Sequence, residues 1–282
     1  MKNIENIAQY PPQIRRDIVR MVHDVQSGHP GGSLGTVEFF TALFFDLLEA
    51  DPKNFKIKGT GEDVFILSNG HITPVYYSTL ARRGYFEVKE LATFRRLGSR
   101  LQGHPSVHDG LPGIRIASGS LGQGLSVALG VAQGKKLNKD PHLVYTLHGD
   151  GELQEGQIWE AVLYAGAKGV DNLIATVDYN NAQIDGKVDD VLSLGNLKAK
   201  FEAFNWTVVD IKEGNNLEAV IEGLRKAKTL TGKGKPVAVL LHTLMGYGVN
   251  FMQGDYRWHG KPLNDEQLAK ALEQLPETLQ DY

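Results

Sequence analysis

The stretch LVYTLHGDGELQEGQIWEAVLYAGAKGVDNLIATVDYNNAQIDG, residues 143–186, contains the pattern that decides the fold. Two short apolar runs, Leu143–Leu147 and Leu173–Val177, enclose one helix-like segment, Ile158–Lys168. Because both runs are mainly apolar rather than alternating, they predict strands that are buried on both faces. A strand, a helix and a second strand in this order predict a right-handed crossover between parallel neighbours.

The same alternation of apolar runs and helix-like segments continues on both sides of this unit. Further strands, also expected to be buried on both faces, are predicted at Val64–Leu67, Thr207–Ile211 and Val237–Leu241. Further helices are predicted at Thr73–Arg83, Leu121–Lys136 and Leu217–Ala227. One helix follows the Pro-Pro pair near the N-terminus, and a second runs from about Thr36 to Leu48. The pattern predicts an α/β fold with a doubly wound, mainly parallel sheet flanked by helices. We expect a single domain over residues 1–282 with an N-terminal helical segment.

The composition of the chain excludes several classes of function. The 282 residues carry a formal net charge of -3 and contain no cysteine, so neither a basic nucleic-acid surface nor thiolate chemistry is expected. The polar N-terminal sequence lacks the apolar core of a signal peptide. The longest apolar stretch, Val37–Leu48, is shorter than a membrane span of ~20 residues and contains Glu38 and Asp46. We therefore expect a cytoplasmic protein with no nucleic-acid and no membrane partner.

The loops after the two central strands carry candidate metal ligands. Asp150 and Asn180 end successive strands, so a parallel crossover brings them side by side. A carboxylate, an amide oxygen and a backbone carbonyl near Ala182 suit a hard cation such as Mg²⁺, whose other positions are filled by phosphate and water. Gly149 and Gly151 would leave room for that phosphate. Taken alone, GDG is more typical of a helix cap at Asp150 and a turn at Asn180.

Several motifs in one order give these loops a more specific interpretation. GDGELQEGQIWEA followed by NLIATVDYNNAQIDG resembles the diphosphate–magnesium motif of thiamine diphosphate enzymes. The segments SGHPGGSLG, LSNGH, LQGHP, SGSLGQGLSVALG and WHGKP resemble the transketolase family in particular, and together they cover nearly the whole chain. The resemblance implies the diphosphate-binding domain of a transketolase. Its cofactors would be thiamine diphosphate and Mg²⁺, with Ca²⁺ or Mn²⁺ as alternative cations.

The resemblance also implies which residues hold the cofactor. Asp150 and Asn180 would bind the metal, with the Ala182 carbonyl as the third protein ligand. The cofactor-binding positions as a set are His71, Gly119, Ser120, Leu121, Gly149, Asp150, Gly151, Glu155, Asn180 and His259.

Besides His148, four histidines each adjoin a glycine in a loop: His29, His71, His104 and His259. Near neutral pH an imidazole donates or accepts protons, as a reaction that makes and breaks C–OH bonds requires. An isolated loop histidine is more typical of a surface, but the motifs that contain these four imply catalytic roles. His148 stands directly before GDG, where an apolar residue is expected, and is left outside the catalytic set.

Two glutamates follow the GDG triplet, Glu155 and Glu160. They are five positions apart and cannot share one helix face closely, so their spacing alone is equally typical of helix-dipole complementarity and solvated side chains. In the family, the matching glutamates belong to a buried hydrogen-bonded path between the two active sites of the dimer. The resemblance therefore implies a catalytic role for both.

The resemblance further implies parts that this sequence does not contain. In the family, a glutamate of a pyrimidine-binding domain activates the cofactor, and longer members continue into that domain and a third one beyond the WHGKP motif. A truncated chain would explain this, and so would the amino-terminal subunit of a transketolase divided between two polypeptides. SGHPGGSLG with GSRLQGHP most resembles the divided type. The expected partner is a C-terminal transketolase subunit, with two copies of each chain in the assembly and no activity without that partner.

The implied activity is transfer of a two-carbon ketol unit from a ketose phosphate such as xylulose 5-phosphate to an aldose phosphate such as ribose 5-phosphate, a reaction of the pentose phosphate pathway. Two alternatives stay open. One is a divided transketolase for an unusual ketose, such as a sulfonated or branched sugar, and the other is a non-catalytic subunit that holds the cofactor. A 1-deoxyxylulose-phosphate synthase or a 2-oxoacid dehydrogenase subunit would share GDG, but not the paired GHP elements together with WHGKP.

Overall fold

Five parallel strands form the central sheet. They are β1 (Val64–Leu67), β2 (Val144–Gly149), β3 (Leu173–Asp178), β4 (Thr207–Ile211) and β5 (Val237–Leu241), in the spatial order β1-β2-β3-β5-β4. Each neighbouring pair of strands is parallel, so the predicted fold class is confirmed. The computed structural model describes residues 4–282, and residues 1–3 of the predicted domain lie outside it.

Helices connect the strands and cover both faces of the sheet. The α-helices are α1 (Ile4–Ile7), α2 (Tyr10–Asp24), α3 (Pro30–Gly35), α4 (Val37–Ala42), α5 (Thr73–Arg83), α6 (Gly124–Leu137), α7 (Gly156–Ala167), α8 (Val188–Leu192), α9 (Leu197–Ala203), α10 (Leu217–Thr229) and α11 (Asp265–Gln274). Short 3₁₀ segments lie at Pro52–Asn54, Val88–Thr93, Val107–Asp109, Gly151–Gln154 and Tyr256–Trp258. Among the helices of residues 4–282, none combines the length and the apolar character needed to cross a membrane.

Alternate residues of each strand point to opposite faces of the sheet and build two separate cores. Phe65 and Leu147 belong to one core, which α2, α4, α5 and α10 cover. Val64 and Ala175 belong to the other, which α6, α7 and α9 cover. Burial on both sides explains why β1, β2, β3 and β5 are mainly apolar and do not alternate with exposed polar residues.

Two elements differ from the sequence prediction. β4 is not buried on both faces: it pairs only with β5 at the edge of the sheet. Its Asp210 is exposed, forms an ion pair with Lys212 and lies within hydrogen-bonding distance of the ring of His242. The helix predicted from Thr36 to Leu48 is α4 followed by a π-helical turn, Leu43–Leu47. In that turn the amide of Leu48 donates to the carbonyl of Leu43, five residues earlier.

The crossover that decides the fold forms as predicted. α7 alone joins β2 to β3, and the two strands pair along their length with Leu147 opposite Thr176 and Gly149 opposite Asp178. The loops after these two strands therefore leave the same edge of the sheet side by side.

Candidate cofactor site

A cavity of about 280 Å³ opens at the carboxyl ends of β1, β2 and β3. Ligands of parallel α/β sheets bind at this edge. The structure brings ten of the predicted site residues to the wall of this one cavity: His29, His71, Gly119, Leu121, Gly149, Asp150, Gly151, Asn180, Ala182 and His259. They come from six separate loops of the chain.

Four other predicted residues do not line the cavity. His104 is exposed at its rim, packed so closely on Gly119 that a Cβ built there would lie 2.6 Å from the His104 ring. Ser120, Glu155 and Glu160 are exposed on the surface. The path between two active sites that the glutamates were expected to form needs a second subunit, so their role stays a prediction.

Asp150 lies at the centre of the site and is 1% exposed. Its Oδ1 accepts a hydrogen bond from the amide of Gly151 at 2.8 Å, and its Oδ2 accepts one from the amide of Asn181 at 2.5 Å. Asn181 has a φ of 55°, in the left-handed region, and this turn points its amide back at β2. The two amides fix the plane of the carboxylate.

Asp178, the last residue of β3, is a site residue that sequence reasoning missed. It is 2% exposed and lines the cavity. Its Oδ2 accepts a hydrogen bond from the side-chain amide of Asn180 at 2.8 Å, and its Oδ1 accepts one from the hydroxyl of Thr243. Asp178 thereby fixes which end of the Asn180 amide is the oxygen. That oxygen accepts from the amide of Ala182 at 2.8 Å and keeps a second lone pair.

The pKa values of the two buried carboxyl groups are both raised, which favours a cation beside them. Burial, and then the neighbouring Asp178, raise the pKa of Asp150 to about 8. Burial raises the pKa of Asp178 to about 7. A divalent cation would remove the cost of holding negative charge here. Within the described residues, no three histidine, aspartate or glutamate side chains are grouped to hold a metal ion, so a cation would rely on Asp150 together with amide and carbonyl oxygens.

Three histidine rings that line the same cavity lie close to one another. The ring centres of His29 and His71 are 4.9 Å apart, those of His71 and His259 are 5.0 Å apart, and those of His29 and His259 are 5.5 Å apart. The fourth ring, His104, lies 6.4 Å from His29. The loops that carry these rings are far apart in the sequence, so only the fold makes them neighbours.

The surroundings of these rings keep them neutral near pH 7. Burial, and then the rings of His259 and His104 and the guanidinium of Arg95, lower the pKa of His29 to about 4. Burial is also the main cause that lowers the pKa of His71, His104 and His259, that of His71 well below its usual value. A neutral imidazole has one donor and one acceptor nitrogen, so each ring can take up or give a proton.

Several residues that line the cavity have buried polar atoms that make no hydrogen bond. Among the described residues, buried atoms without a hydrogen-bond partner include Nδ1 of His29, Nδ1 of His259 and Oδ1 of Asn69. Asn69 was not predicted, although it lies within the LSNGH motif and is 2% exposed. Because a buried polar atom without a partner is costly, these atoms indicate a polar ligand. Together with the two carboxylates, they fit a diphosphate cofactor with a divalent cation.

The two glycines of the GDG triplet differ in how much space lies beside them. A Cβ at Gly149 would only reach ordinary contact with Asn69, at 3.9 Å, so there is open space beside this glycine, and its role at a phosphate stays a prediction. A Cβ at Gly151 would lie 2.8 Å from Oε1 of Gln183. The space beside Gly151 is therefore filled by the loop after β3.

Comparison with known proteins identifies the family. The chain matches the family described as "Transketolase, thiamine diphosphate binding domain" over residues 9–278. It is 39% identical to a 6-deoxy-6-sulfo-D-fructose transketolase subunit of a Clostridium species, with 93% of each chain covered. It is 35% identical to an apulose-4-phosphate transketolase subunit of Phocaeicola vulgatus, over 98% of this chain and 96% of that one.

Solved structures agree with this assignment. The fold superposes on the transketolase of Campylobacter jejuni with a TM-score of 0.87 at 33% identity, over 96% of this chain. The match covers 43% of the Campylobacter chain, so the chain spans less than half of that protein. From its sequence, its sheet and these relatives, the chain belongs to the transketolase family and comprises the thiamine diphosphate-binding domain of that family.

Proposed function

We propose that this protein is the diphosphate-binding subunit of a divided transketolase, which uses thiamine diphosphate and Mg²⁺ to transfer a two-carbon ketol unit from a ketose to an aldose phosphate. The observation that carries the proposal is the cavity itself. It sets a buried carboxylate and an oriented amide oxygen, from Asp150 and Asn180, against a cluster of neutral histidines.

Each wall of the cavity has a separate task in this proposal. Asp150, Asn180 and the Ala182 carbonyl hold the cation, and Asp178 keeps the Asn180 oxygen in place. His71 and His259 donate to the diphosphate. Bound thiamine diphosphate supplies the carbon nucleophile that breaks and re-forms the C–C bond. His29 in the cavity and the exposed His104 beside it accept and return the hydroxyl protons of the sugar.

The exposed surface of α6 and α7 supports the proposal that the chain binds another subunit. α6 and α7 pack side by side and expose large apolar side chains, with Val127 41%, Leu163 56% and Tyr164 44% exposed. Glu160 lies one turn before Leu163 and Tyr164, on the same face of α7. Apolar groups gathered on one surface are typical of a protein interface. We propose that this face packs against another subunit in an assembly with two copies of each chain, which would bury Glu160 at the contact.

The proposal has two candidate classes of donor sugar. Xylulose 5-phosphate is the first candidate. A sulfonated or branched ketose is the second, because relatives that match this chain over nearly their whole length are named for sulfofructose and apulose phosphate. A panel of these three donors, with ribose 5-phosphate or glyceraldehyde 3-phosphate as acceptor, separates the two. A ratio of kcat/KM above about tenfold in favour of one donor would assign it.

Cofactor binding tests the site directly. We expect that thiamine diphosphate binds to the protein only with Mg²⁺ present, and that Asp150→Ala abolishes this binding because it removes the charged ligand. Asp190→Ala is the matched control, since Asp190 is exposed in α8 and lies outside the cavity. Calorimetric titration of both variants, with far-ultraviolet circular dichroism to check the fold, gives the answer. Equal affinity of wild type and Asp150→Ala would refute the metal site.

A further inference from the structure

Glu152 is a buried carboxylate that the proposed chemistry does not use. It lies in the 3₁₀ turn after β2, is 2% exposed and lines the cofactor cavity. A carboxylate beside a diphosphate site adds like charge, which opposes binding unless the group does something else there.

The hydrogen bonds of Glu152 join three separate loops. Its Oε1 accepts from the hydroxyl of Ser68, in the loop after β1, and from the amide of Gly122 at 2.8 Å, in the loop before α6. Its Oε2 accepts from the amide of Gly149 at 3.1 Å, at the end of β2. Ser68 extends the link, because its Oγ also accepts from the amide of Gly124 at 3.2 Å.

Each of these contacts is next to a group assigned to the cofactor. Ser68 precedes the LSNGH residues Asn69 and His71, Gly122 follows Leu121, and Gly149 precedes Asp150. Backbone amides in these loops can point at the cavity only if the loops are held in register with one another. A single carboxylate that binds all three loops does this.

We propose that Glu152 is a positioning residue that sets the three cofactor loops, residues 67–71, 118–123 and 148–151, relative to one another before the cofactor binds. This inference rests on the proposed function for the identity of the cofactor. The physical basis of the inference, one carboxylate that accepts hydrogen bonds from three donors, does not depend on the proposed function.

His148 supplies the remaining contact of the carboxylate. It is 2% exposed, its Nε2 is 2.8 Å from the hydroxyl of Thr146, and its Nδ1 lies 3.6 Å from Oε2 of Glu152 without a hydrogen-bond partner. The histidine at a place where an apolar residue is expected therefore faces the carboxylate. We assign His148 to the same support and not to proton transfer.

The substitution Glu152→Gln tests the proposal with the least change in shape. A glutamine has one acceptor oxygen and one N–H₂ group. Whichever way its amide turns, an N–H group faces a donor: the amide of Gly149 in one orientation, and that of Gly122 in the other. The matched control is Glu38→Gln, because Glu38 is also buried, 4% exposed, but pairs with Arg15 at 2.7 Å and lies outside the cavity.

Two measurements are made on both variants. Hydrogen–deuterium exchange of the cofactor-free chain should speed up by about tenfold or more in peptides that cover the three loops in Glu152→Gln, and not in Glu38→Gln. In the protein assembled with its complementary subunit, the Kd for thiamine diphosphate with Mg²⁺ should rise about 10- to 100-fold in Glu152→Gln only. The rise in Kd should exceed the fall in kcat at saturating cofactor, because the carboxylate holds the binding loops and does not touch the sugar.

The outcomes separate the two proposals. If wild type fails to bind thiamine diphosphate, the proposed function is wrong, while the exchange measurement still decides the role of Glu152. If wild type binds and both variants bind equally well, or both lose affinity to the same extent, the positioning role is wrong. Should Glu152→Gln not fold, Ser68→Ala removes one donor of the same network, and an unchanged Kd there would overturn the inference.

Discussion

The neutral histidine cluster predicts how the stability of the protein depends on pH. We expect the contribution of His29 to the unfolding free energy to fall when the pH is lowered from 6.5 to 4. The unfolded chain takes up a proton at His29 near pH 6.5, and the fold takes it up only near pH 4. Protonation in this window therefore stabilises the unfolded state, and the loss is complete below the folded pKa.

The size of the effect follows from the same two values. A pKa lowered from 6.5 to about 4 is worth roughly 3 kcal/mol. We reduce this to about 2 kcal/mol because the His29 ring is partly open to solvent. Glutamine keeps a neutral polar side chain at this position and cannot titrate, so His29→Gln should lose about this much of the pH dependence.

Urea unfolding between pH 4.5 and 7.5 measures this difference. The pH profiles of wild type and His29→Gln should have the same slope near pH 7. Below that pH, wild type should lose stability relative to His29→Gln. His108→Gln is the control, because His108 is exposed and outside the cavity. Parallel pH profiles for wild type and His29→Gln would show that the cluster does not hold His29 neutral, and the proton-transfer role would lose its basis.

Three further predictions concern packing and assembly. Gly166→Ala should destabilise the chain by at least about 2 kcal/mol in urea unfolding, because a Cβ there would lie 1.8 Å from the carbonyl oxygen of Phe204. Gly134→Ala, with nothing within 4 Å of its added Cβ, should instead raise stability by about 0.5–1 kcal/mol; equal effects of the two changes would contradict the packing account. Glu160→Gln should leave the unfolding free energy of the single chain within about 0.5 kcal/mol and lower the ketol-transfer rate of the assembled enzyme, and an unaffected rate would remove Glu160 from the catalytic set.

Much of the fold could be predicted because each strand is short, apolar and flanked by loop residues. The runs at Val64–Leu67 and Val237–Leu241 match β1 and β5 residue for residue. The burial of β4 on both faces was predicted wrongly, although the sequence contained a contrary signal: Asp210 interrupts its apolar run. A charged residue in the run indicates an edge strand, whose outer side faces solvent.

The site could be predicted only in part. Asp150 and Asn180 follow adjacent strands, so the crossover rule alone brings them together. The histidines come from loops that no local rule connects, and their grouping depended on the resemblance to a family. Asp178 and Glu152 were not predicted for another reason. The role of each carboxylate depends on the hydrogen-bond donors that surround it in the folded chain. Several loops must fold together before such an arrangement exists, and spacing along the chain does not encode it.

The most direct test of the account is a reconstitution of ketol transfer. Transfer to ribose 5-phosphate is measured for xylulose 5-phosphate, a sulfonated ketose and a branched ketose phosphate, with thiamine diphosphate and Mg²⁺. Each donor is given to this chain alone, to the complementary carboxyl-terminal chain alone, and to their mixture. We predict activity with at least one donor in the mixture and none with either chain alone. Full activity of this chain by itself, or a mixture that binds the cofactor and transfers from no donor, would contradict the account.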